Sequence, residues 1–337
     1  MENKIDFVLT WVDGNDKNWQ KEKAKYQNSN KEVSDRMRYR DWDNLKYWFR
    51  GVEKFAPWVN RIYFVTWGHI PLWLNTAHPK LTIVKHEDFI PKEYLPTFSS
   101  HPIELNLHRI AGLSHQFVYF NDDIFLTRPV KKQDFFKNGL PRDTCIESAV
   151  MQDKYEDSFA HILINDCALI NMNFRKRRVI RNNFRKWFSP VYGSLVFRNV
   201  IMFPYRQFAS FKFFHLASPF LKESFYKVWE LEPDILDNVC RNKFRSACDV
   251  NQYVMKYYQF ATGHFVPQNP GTGRFFIPSR DKEKIYEAVR KQKYKMICVN
   301  DDGNESGFEE MKRKLKESFS SILPEISSFE TGAGHEI

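Results

Sequence analysis

A chain of 337 residues with 42% hydrophobic and 16% aromatic content can bury a large core, and its 13 glycines are too few for a collagen-like or low-complexity protein. Its 51 basic and 41 acidic residues give a net charge of +10, which indicates attraction to an anionic partner; nucleotides, acidic lipids and polyanions all qualify. No apolar run approaches membrane-spanning length and no signal-peptide stretch precedes the first strand, so we expect a cytoplasmic protein, free or peripheral at the inner face of the plasma membrane.

Four short apolar runs in the first 125 positions break into polar residues, which is typical of buried strands. They are residues 5–12, 61–66, 81–84 and 117–120. Apolar residues at helical spacing lie between the first two runs and between the last two: Trp42, Leu45, Trp48, Phe49 and Val52, then Ile103, Leu107, Ile110 and Leu113. The alternation predicts an α/β fold with a Rossmann-like, mainly parallel sheet flanked by helices. In such sheets, ligands bind beyond the carboxyl ends of the strands.

The fourth run ends in Asn121-Asp122-Asp123 before the chain becomes apolar again. Two adjacent carboxylates between hydrophobic segments are unfavourable to bury unless a cation compensates their charge. One interpretation is therefore a divalent metal that carries a phosphorylated ligand. The other is an ordinary polar turn, because Asn and Asp are common turn residues.

Residues 175–187 are rich in arginine and lysine, interleaved with apolar residues at roughly helical spacing. The basic side of such a helix is either a solvated face or a contact with an anionic membrane, an acidic acceptor or nucleic acid. No recognisable nucleic-acid-binding module accompanies it, so we expect no nucleic-acid partner.

The cysteines are widely spaced along the chain, and no two of them form a Cys-x-x-Cys pair. They are Cys145, Cys167, Cys240, Cys248 and Cys298. This spacing favours reduced, free thiols over a zinc site.

Several segments resemble the conserved regions of the Stealth family of sugar-phosphate transferases. The first region is similar to residues 5–14, and the most specific match is the second, within residues 38–123. The matching segments after the first are residues 38–41 with Leu45, 53–58, 96–101 with Glu104, His108 and Arg109, 119–123, 214–219, 244–246, 298–301, 322–324 and 328–330. Together they extend over essentially the whole chain.

The resemblance implies a nucleotide-sugar-transferase-like fold and an activity. The family includes bacterial capsule and exopolysaccharide phosphotransferases and the lysosomal-enzyme N-acetylglucosamine phosphotransferase of animals, and this compact chain is more similar to the bacterial branch. The implied reaction moves a sugar 1-phosphate from a nucleotide-sugar, a UDP-hexose or UDP-N-acetylhexosamine, to a hydroxyl of a glycan or lipid-linked glycan. The products would be a phosphodiester and UMP, and the implied cofactor is Mg²⁺ or Mn²⁺.

Within this resemblance, Asp122 and Asp123 would hold the metal, with Asn300 and Asp301 completing its shell. His215 is the leading general base because its ordinary pKa lies near neutral pH. An alternative makes Asp122 or Asp123 the base and leaves His215 to orient the phosphate.

Arg245 is the guanidinium expected against the phosphoryl oxygens, since its planar fork binds two oxygens at once. Its alternative role is a surface ion pair with Asp249.

The remaining candidates are expected around the donor. Trp11 would face the nucleotide base or belong to the core, and Asp13 beside Gly14 would reach ribose or metal. The other assigned positions are Arg38, Asp41, Ser99, His101, Glu104, His108 and Arg109. Glu104 shares a helix face with His101 and with His108, so these side chains bind sugar hydroxyls, orient the acids or satisfy one another in the core.

We predict a nucleotide-sugar-binding core at residues 1–150, a mostly helical, basic and aromatic insertion at 151–265 that carries His215 and Arg245, and a segment at 266–337 that completes the core. Two other functions are open. A conventional metal-dependent glycosyltransferase would attack C1 of the sugar and release UDP. A non-catalytic polyanion-binding protein would explain the basic excess but not the acids at the strand ends.

Overall fold

The computed structural model describes residues 4–27, 39–152, 158–303 and 306–332. The strands in these ranges are β1 (Ile5–Thr10), β2 (Ile62–Thr66), β3 (Leu81–Lys85), β4 (Gln116–Asn121), β5 (Ile124–Leu126), β6 (Phe136–Lys137), β7 (Leu140–Asp143), β8 (Ser218–Leu221), β9 (Val266–Pro267), β10 (Gly273–Phe276) and β11 (Met296–Val299). The helices are α1 (Lys17–Ala24), α2 (Leu45–Phe55), α3 (Ser100–Asn106), α4 (Lys132–Phe135), α5 (Ser158–Asn173), α6 (Lys176–Asn182), α7 (Phe184–Trp187), α8 (Val196–Met202), α9 (Lys222–Leu231), α10 (Pro233–Arg241), α11 (Tyr253–Thr262), α12 (Pro278–Arg290) and α13 (Phe308–Ile322).

A five-stranded sheet with the order β3-β2-β1-β4-β8 lies at the centre of the fold. The first four of these strands pair in parallel, and β8 runs antiparallel to β4. The mainly parallel α/β architecture and the four predicted strands are therefore confirmed. The first strand ends at Thr10, so Trp11 and Val12 begin the loop beyond its carboxyl end.

Alternating side chains of the sheet contribute to two hydrophobic cores, as the two-residue period of a strand requires. Val8 and Tyr119 belong to a core shared with α3, α5, α9, α10 and α11. Phe7 and Phe120 belong to a second core shared with α2, α12 and α13. The sheet is thus covered by helices on both faces, which is the arrangement expected for parallel strands.

A second sheet, β10-β11-β5, stands beyond the carboxyl end of β4. Only Asp122 and Asp123 separate β4 from β5, and β5 pairs antiparallel with β11. The C-terminal part of the chain is tied back by Arg50 on α2, whose Nε and Nη2 donate to the two carboxylate oxygens of Glu330 at 2.7 and 2.8 Å. Residues distant in sequence therefore meet at the two acids.

The region between residues 158 and 262 is mostly helical, as predicted, and it also contributes strand β8 to the central sheet. The domain boundaries drawn near residues 150 and 265 stay a prediction. Within the described ranges, no helix combines the length and the apolar character needed to cross a bilayer.

Candidate active site

The carboxyl ends of β1 and β4 define the candidate site. These strands are neighbours and run parallel, with Thr10 opposite Asn121 in the register. The loop after β1 begins with Trp11, and the link after β4 is Asp122-Asp123. Because parallel strands end at one edge of a sheet, these polar residues lie at a common edge, as the sequence predicted.

The two oxygens of the Asp123 carboxylate have different surroundings. Oδ2 lies 3.2 Å from Nε2 of His215 and accepts a hydrogen bond from the Cys298 thiol at 3.1 Å. Oδ1 is buried and has no hydrogen-bond partner among the described residues. One oxygen of Asp123 is thus held in place while the other is free to bind a ligand.

The ring of His215 is held from several sides. Its Nδ1 lies 3.4 Å from the Tyr253 hydroxyl, and the rings of Phe213 and Phe275 stand 5.0 and 5.8 Å away. The backbone at His215 has φ of +42°, a conformation that few residues with a side chain adopt and that often marks functional positions. The sequence predicts that His215 lies close to the two acids, and the structure places it in contact with Asp123.

Asp122 is accessible to solvent but is densely surrounded by protein. Loss of solvation, together with the nearby carboxylates of Asp123 and Asp41, raises its pKa to about 7, whereas His215 acts to lower the pKa. In the part of the chain that the structure describes, no lysine or arginine forms an ion pair with Asp122 or Asp123. This pair of acids therefore lacks a compensating cationic side chain other than His215.

The donor atoms at this edge fit a hard divalent cation. The side-chain oxygen of Asn121 is, like Oδ1 of Asp123, buried without a hydrogen-bond partner, and the Asp122 carboxylate is beside it in the chain. Oxygen atoms of this kind are the ligands of Mg²⁺ and Mn²⁺. Asp123, His215 and Cys298 also bring a carboxylate oxygen, a ring nitrogen and a sulfur within 4.8 Å of one another. Burial raises the pKa of the Cys298 thiol well above its ordinary value, and in this structure the thiol donates a hydrogen bond to Asp123.

Asn300 and Asp301 were expected in the same metal shell. The Asp301 carboxylate is instead engaged by Arg40, whose Nε donates at 2.8 Å, and by Nε1 of Trp42 at 2.9 Å. The backbone N–H of Asn300 donates to the Phe276 carbonyl at 3.0 Å, continuing the β10–β11 pairing. The metal role of both residues stays a prediction, and the contacts of Asp301 give it a second role in holding the segment around Asp41.

The loop after β1 is fixed against β2. The backbone N–H of Trp11 donates to the Val65 carbonyl at 2.9 Å, and that of Asp13 donates to Nε2 of His69 at 2.7 Å. The Trp11 ring stacks on Phe64 at 5.6 Å and meets the edge of His69 at 5.2 Å. Trp11 is half-buried: one side packs on the core, and the rest remains accessible. Its role beside the nucleotide base stays a prediction.

Gly14 is required by close packing. A Cβ at this position would come within 2.4 Å of Tyr39 Cβ and 2.6 Å of the Tyr39 carbonyl oxygen. This contact joins the β1 loop to residues 39–41, where Asp41 is exposed. Arg38, also predicted in the donor site, lies outside the described residues.

The first turn of α3 carries a buried polar network. Ser99 caps the helix, and Nδ1 of His101 lies 2.8 Å from the Asp249 carboxylate. Glu104 accepts a hydrogen bond at 3.3 Å from the Tyr119 hydroxyl, which lies 3.0 Å from the Thr10 hydroxyl. Glu104 is therefore linked to the ends of β1 and β4.

His108 and Arg109 contact a different element. Helix α3 ends at Asn106, and a 3₁₀ turn over Leu107–Arg109 directs His108 into the rings of α9, where Tyr226 lies 4.9 Å away. Burial, followed by the charge of Arg109, lowers the pKa of His108 to about 3, so the ring is neutral. Arg109 stacks over Trp229, with 5.1 Å between guanidinium and ring centre. Their donor-site role is untested, and their recorded contacts are with α9.

Arg245 is exposed, and its Nη2 donates to the Ser100 hydroxyl at 3.0 Å. The alternative ion pair with Asp249 is absent from the described contacts, because Asp249 accepts from His101, from Asn242 at 2.7 Å and from the Ser246 backbone at 2.9 Å. Among the described contacts, Arg245 meets helix α3 and neither Asp122 nor Asp123, and its side chain is exposed. Its phosphate-binding role stays a prediction.

Comparison with known proteins shows the family to which this chain belongs. Residues 3–31 match the family described as Stealth protein CR1, conserved region 1, and residues 38–143 match Stealth protein CR2, conserved region 2. A capsular polysaccharide phosphotransferase WcwK of Streptococcus pneumoniae is 41% identical over 330 residues, which cover 97% of this chain and 98% of the relative. The chain belongs to the Stealth family. The resemblance stated from the motifs is thereby confirmed.

Other Stealth relatives match over similar lengths. The exopolysaccharide phosphotransferase cps2G of Lactiplantibacillus plantarum is 39% identical, with 97% of this chain and 96% of the relative covered. A receptor polysaccharide phosphotransferase WefC of Streptococcus oralis is 38% identical, with 97% and 99% covered. A solved structure of the galactosyltransferase LgtC with donor and acceptor sugar analogs covers 96% of this chain and 98% of that chain at a TM-score of 0.39 and 9% identity.

Several residues of the candidate site have no role that the sequence alone predicts. Cys298 lies in a matching motif but was interpreted as a simple free thiol, and Asn121 was noted without a ligand role. His69 follows the second predicted strand, a position that could have marked it. Tyr253 carries no signal at all, because its contact with His215 joins parts of the chain 38 residues apart.

Proposed function

We propose that this protein transfers a sugar 1-phosphate from a nucleotide-sugar, a UDP-hexose or UDP-N-acetylhexosamine, to a glycan hydroxyl during synthesis of a capsular or other cell-surface polysaccharide. The products are a phosphodiester and UMP. The observation that carries the proposal is the arrangement of the Asp123 carboxylate. One oxygen is held by His215 and Cys298, and the other has no hydrogen-bond partner among the described residues. Identity of about 40% to named polysaccharide phosphotransferases over almost the whole chain supports the class of reaction.

The attacked phosphorus belongs to a diphosphate, so the site must neutralise negative charge while an acceptor hydroxyl loses its proton. Asn121, Asp122 and Asp123 would hold Mg²⁺ or Mn²⁺, which would neutralise the diphosphate charge and stabilise the departing nucleotide phosphate. Arg245 would contact the phosphoryl oxygens with its exposed guanidinium.

His215 is the proposed general base. If its Nε2–H donates to Asp123, Nδ1 carries the lone pair that receives the proton, and the hydrogen bond to Asp123 stabilises the imidazolium that forms. The weak 3.4 Å contact between Nδ1 and the Tyr253 hydroxyl occupies the place where an acceptor hydroxyl would bind. Oδ2 of Asp123 already accepts from His215 and Cys298, which makes Asp123 the poorer base.

The donor is proposed to bind along the β1 loop, with its nucleotide beside Trp11, Asp13 and His69. The acceptor is a glycan or a lipid-linked glycan, and the chain would work at the cytoplasmic side in peripheral contact with the membrane. The domain division, with the central segment carrying His215 and Arg245, is part of the same proposal.

A product assay tests the reaction. The purified protein is incubated with Mg²⁺ or Mn²⁺, a panel of UDP-sugars and glycan acceptors, and nucleotides are separated by chromatography while phosphorus NMR follows the glycan. We expect UMP together with a new phosphodiester resonance, and neither in a parallel reaction with EDTA. Release of UDP with an unphosphorylated glycan product would instead establish a conventional glycosyltransferase. Turnover that is unimpaired in EDTA would remove the metal from the proposal.

A further inference from the structure

The positive charge of the chain is concentrated in one segment. Residues 167–222 contain eleven lysines and arginines and no aspartate or glutamate, so their formal charge of +11 exceeds the +10 of the whole protein. The rest of the chain is therefore close to neutral. A segment of this length without an acid cannot compensate its own charge internally.

Within this segment, helix α8 presents apolar side chains to solvent. Phe197, Val200 and Ile201, at spacings of three and four residues, are 66%, 52% and 69% exposed. The opposite side of the helix is fixed by buried Asn199, whose Nδ2 donates to the Cys145 carbonyl at 2.9 Å and the Trp187 carbonyl at 2.7 Å. The outward direction of the apolar side chains is thus set by a specific anchor.

Neighbouring elements extend this apolar surface. Phe184 and Phe203 are exposed, and the intervening Phe188 ring stands 4.8 Å from Phe184 and 6.1 Å from Phe203. Tyr205 follows and is 61% exposed. We call this surface the α8 face; its members are Phe184, Phe197, Val200, Ile201, Phe203 and Tyr205.

The α8 face is built on a fixed support. The buried ammonium of Lys176 on α6 lies 2.7 Å from the Glu147 carboxylate and donates to the Met202 carbonyl at the end of α8 at 2.6 Å. The same Glu147 oxygen accepts from the Ala209 backbone at 3.1 Å. These contacts hold α6, α8 and the loop after α8 together.

Uncompensated cations flank the members of the α8 face along the chain. The exposed members of the segment are Arg175, Arg177, Arg178, Arg181, Arg185 and Arg206. Burial lowers the pKa of Lys212, and the charges of Arg198 and Arg274 lower the pKa further, which indicates that these cations lie near one another. None of these residues forms an ion pair with an acid in the described ranges.

We propose that the α8 face and its flanking arginines dock this protein on an anionic phospholipid bilayer. Apolar side chains that project from an amphipathic surface enter the boundary between headgroups and acyl chains, while arginines bind the lipid phosphates. A nucleic acid would match the charge but not exposed Val200 and Ile201, and an apolar protein partner would leave the acid-free segment unexplained. Both features together fit a charged lipid surface.

Docking through this face would also serve the reaction. Lys212 and Phe213 lie two or three residues before His215, so the cationic group near α8 adjoins the catalytic residues along the chain. Docking would therefore bring His215 close to the membrane surface from which a lipid-linked acceptor projects. This use rests on the proposed function, whereas binding of the face to lipid does not.

Vesicle flotation tests the surface with the full chain. We expect binding to mixed vesicles of phosphatidylcholine and anionic phosphatidylglycerol, and weak binding to pure phosphatidylcholine. The double variant Phe197→Ser/Ile201→Ser should lose about tenfold in partition coefficient, because two large apolar groups no longer leave water. The variant Arg177→Gln/Arg178→Gln/Arg181→Gln/Arg185→Gln should lose at least as much, and added salt should weaken wild-type binding.

Matched controls remove the same chemistry elsewhere. Leu72→Ser removes an apolar side chain that is 96% exposed, and Lys92→Gln with Lys137→Gln removes exposed charges; these variants should bind vesicles like wild type. Turnover of a water-soluble acceptor should be unchanged in Phe197→Ser/Ile201→Ser, which separates failure of docking from failure of the transferase proposal.

Three outcomes would overturn the inference. If the wild-type protein does not float with the anionic vesicles, it has no such docking surface. Wild-type protein that binds duplex DNA but not vesicles, with loss in the arginine variant alone, has a nucleic-acid surface instead. A dimer that dissociates in Phe197→Ser/Ile201→Ser, without any lipid binding, makes the α8 face a contact between two copies of this chain.

Discussion

Two carboxylates in this protein, one buried and one partly buried, have contrasting surroundings. Glu147, beneath the α8 face, is paired with the buried ammonium of Lys176 at 2.7 Å. Asp123, at the end of β4, has His215 and a neutral thiol on one oxygen, and a second acid stands beside it. Among the described residues, the other oxygen of each of the two carboxylates has no hydrogen-bond partner, so the contrast between them lies in the compensating cation. A buried acid with its own cation is neutralised within the fold, and removing that cation is costly, whereas a partly buried acid without one indicates that compensating charge arrives with a ligand. The comparison therefore separates an acid that is neutralised within the fold from the acid that we propose to be functional.

The largest effect is expected where the compensated pair is broken. Lys176→Met should destabilise the protein by about 3–5 kcal/mol, because Glu147 would remain buried without its cation. Urea denaturation measures this change. Arg178→Gln, an exposed cation on the same helix, should change the unfolding free energy by no more than about 0.5 kcal/mol.

If Lys176→Met folds poorly, a double variant can still test the role of the ion pair. Adding Glu147→Gln should recover part of the stability, since the unpaired charge is then removed as well. If Lys176→Met were as stable as wild type, Glu147 would not be the acid of the comparison that is neutralised within the fold.

The uncompensated acid should show the opposite response. Asp123→Asn keeps the shape of the side chain, so the urea midpoint should change little, but turnover should fall about a hundredfold or more through loss of a preorganised charge. His215→Ala should lower turnover on a similar scale as loss of the general base. Near-wild-type turnover in both variants, measured by nucleotide release, would show that the chemistry lies elsewhere.

Arg245 is a cation that the structure leaves without an acidic partner in its described surroundings. Arg245→Lys keeps the charge but not the planar fork, so we expect about a tenfold fall in kcat/KM for the nucleotide-sugar and no change in stability. Lys92→Gln supplies the control for an exposed cation. Equal kinetics for Arg245→Lys and wild type would return Arg245 to the role of a surface hydrogen-bond partner of Ser100.

The sequence predicts the architecture well because it depends on local patterns. Apolar runs that end in polar residues identify β1 to β4, and the family motifs select Asp123 and His215, which lie in contact. Helical spacing misleads where a helix ends early: a face shared by Glu104 and His108 assumes that α3 continues, but it ends at Asn106 and the 3₁₀ turn rotates His108 towards α9.

Long-range pairing is the part that the sequence could not supply. Asp301 lies in a matching motif, yet its carboxylate meets Arg40, 261 positions away. Glu330 also lies in a motif, and it binds Arg50, 280 positions away. Their place in a motif marks these residues for attention. It does not tell whether such a residue is a metal ligand or forms an ion pair that joins distant segments.

A change at Cys298 has the smallest expected effect, and it tests only how the Asp123 carboxylate is held. Its thiol donates to Oδ2 of Asp123, the same oxygen that faces His215. Cys298→Ala removes this donor, and a hydrogen bond of ordinary strength corresponds to about 1 kcal/mol, or roughly a fivefold fall in kcat. Cys298→Ser retains a donor and should recover most of the rate, which a role in packing alone would not predict, because alanine and serine leave similar space.

Titration of the metal requirement in both variants completes the measurement: if Cys298 only positions Asp123, the Mg²⁺ or Mn²⁺ concentration for half-maximal activity should shift in Cys298→Ala and return in Cys298→Ser. Equal rates and metal requirements in wild type and Cys298→Ala would mean that His215 alone is sufficient to orient Asp123.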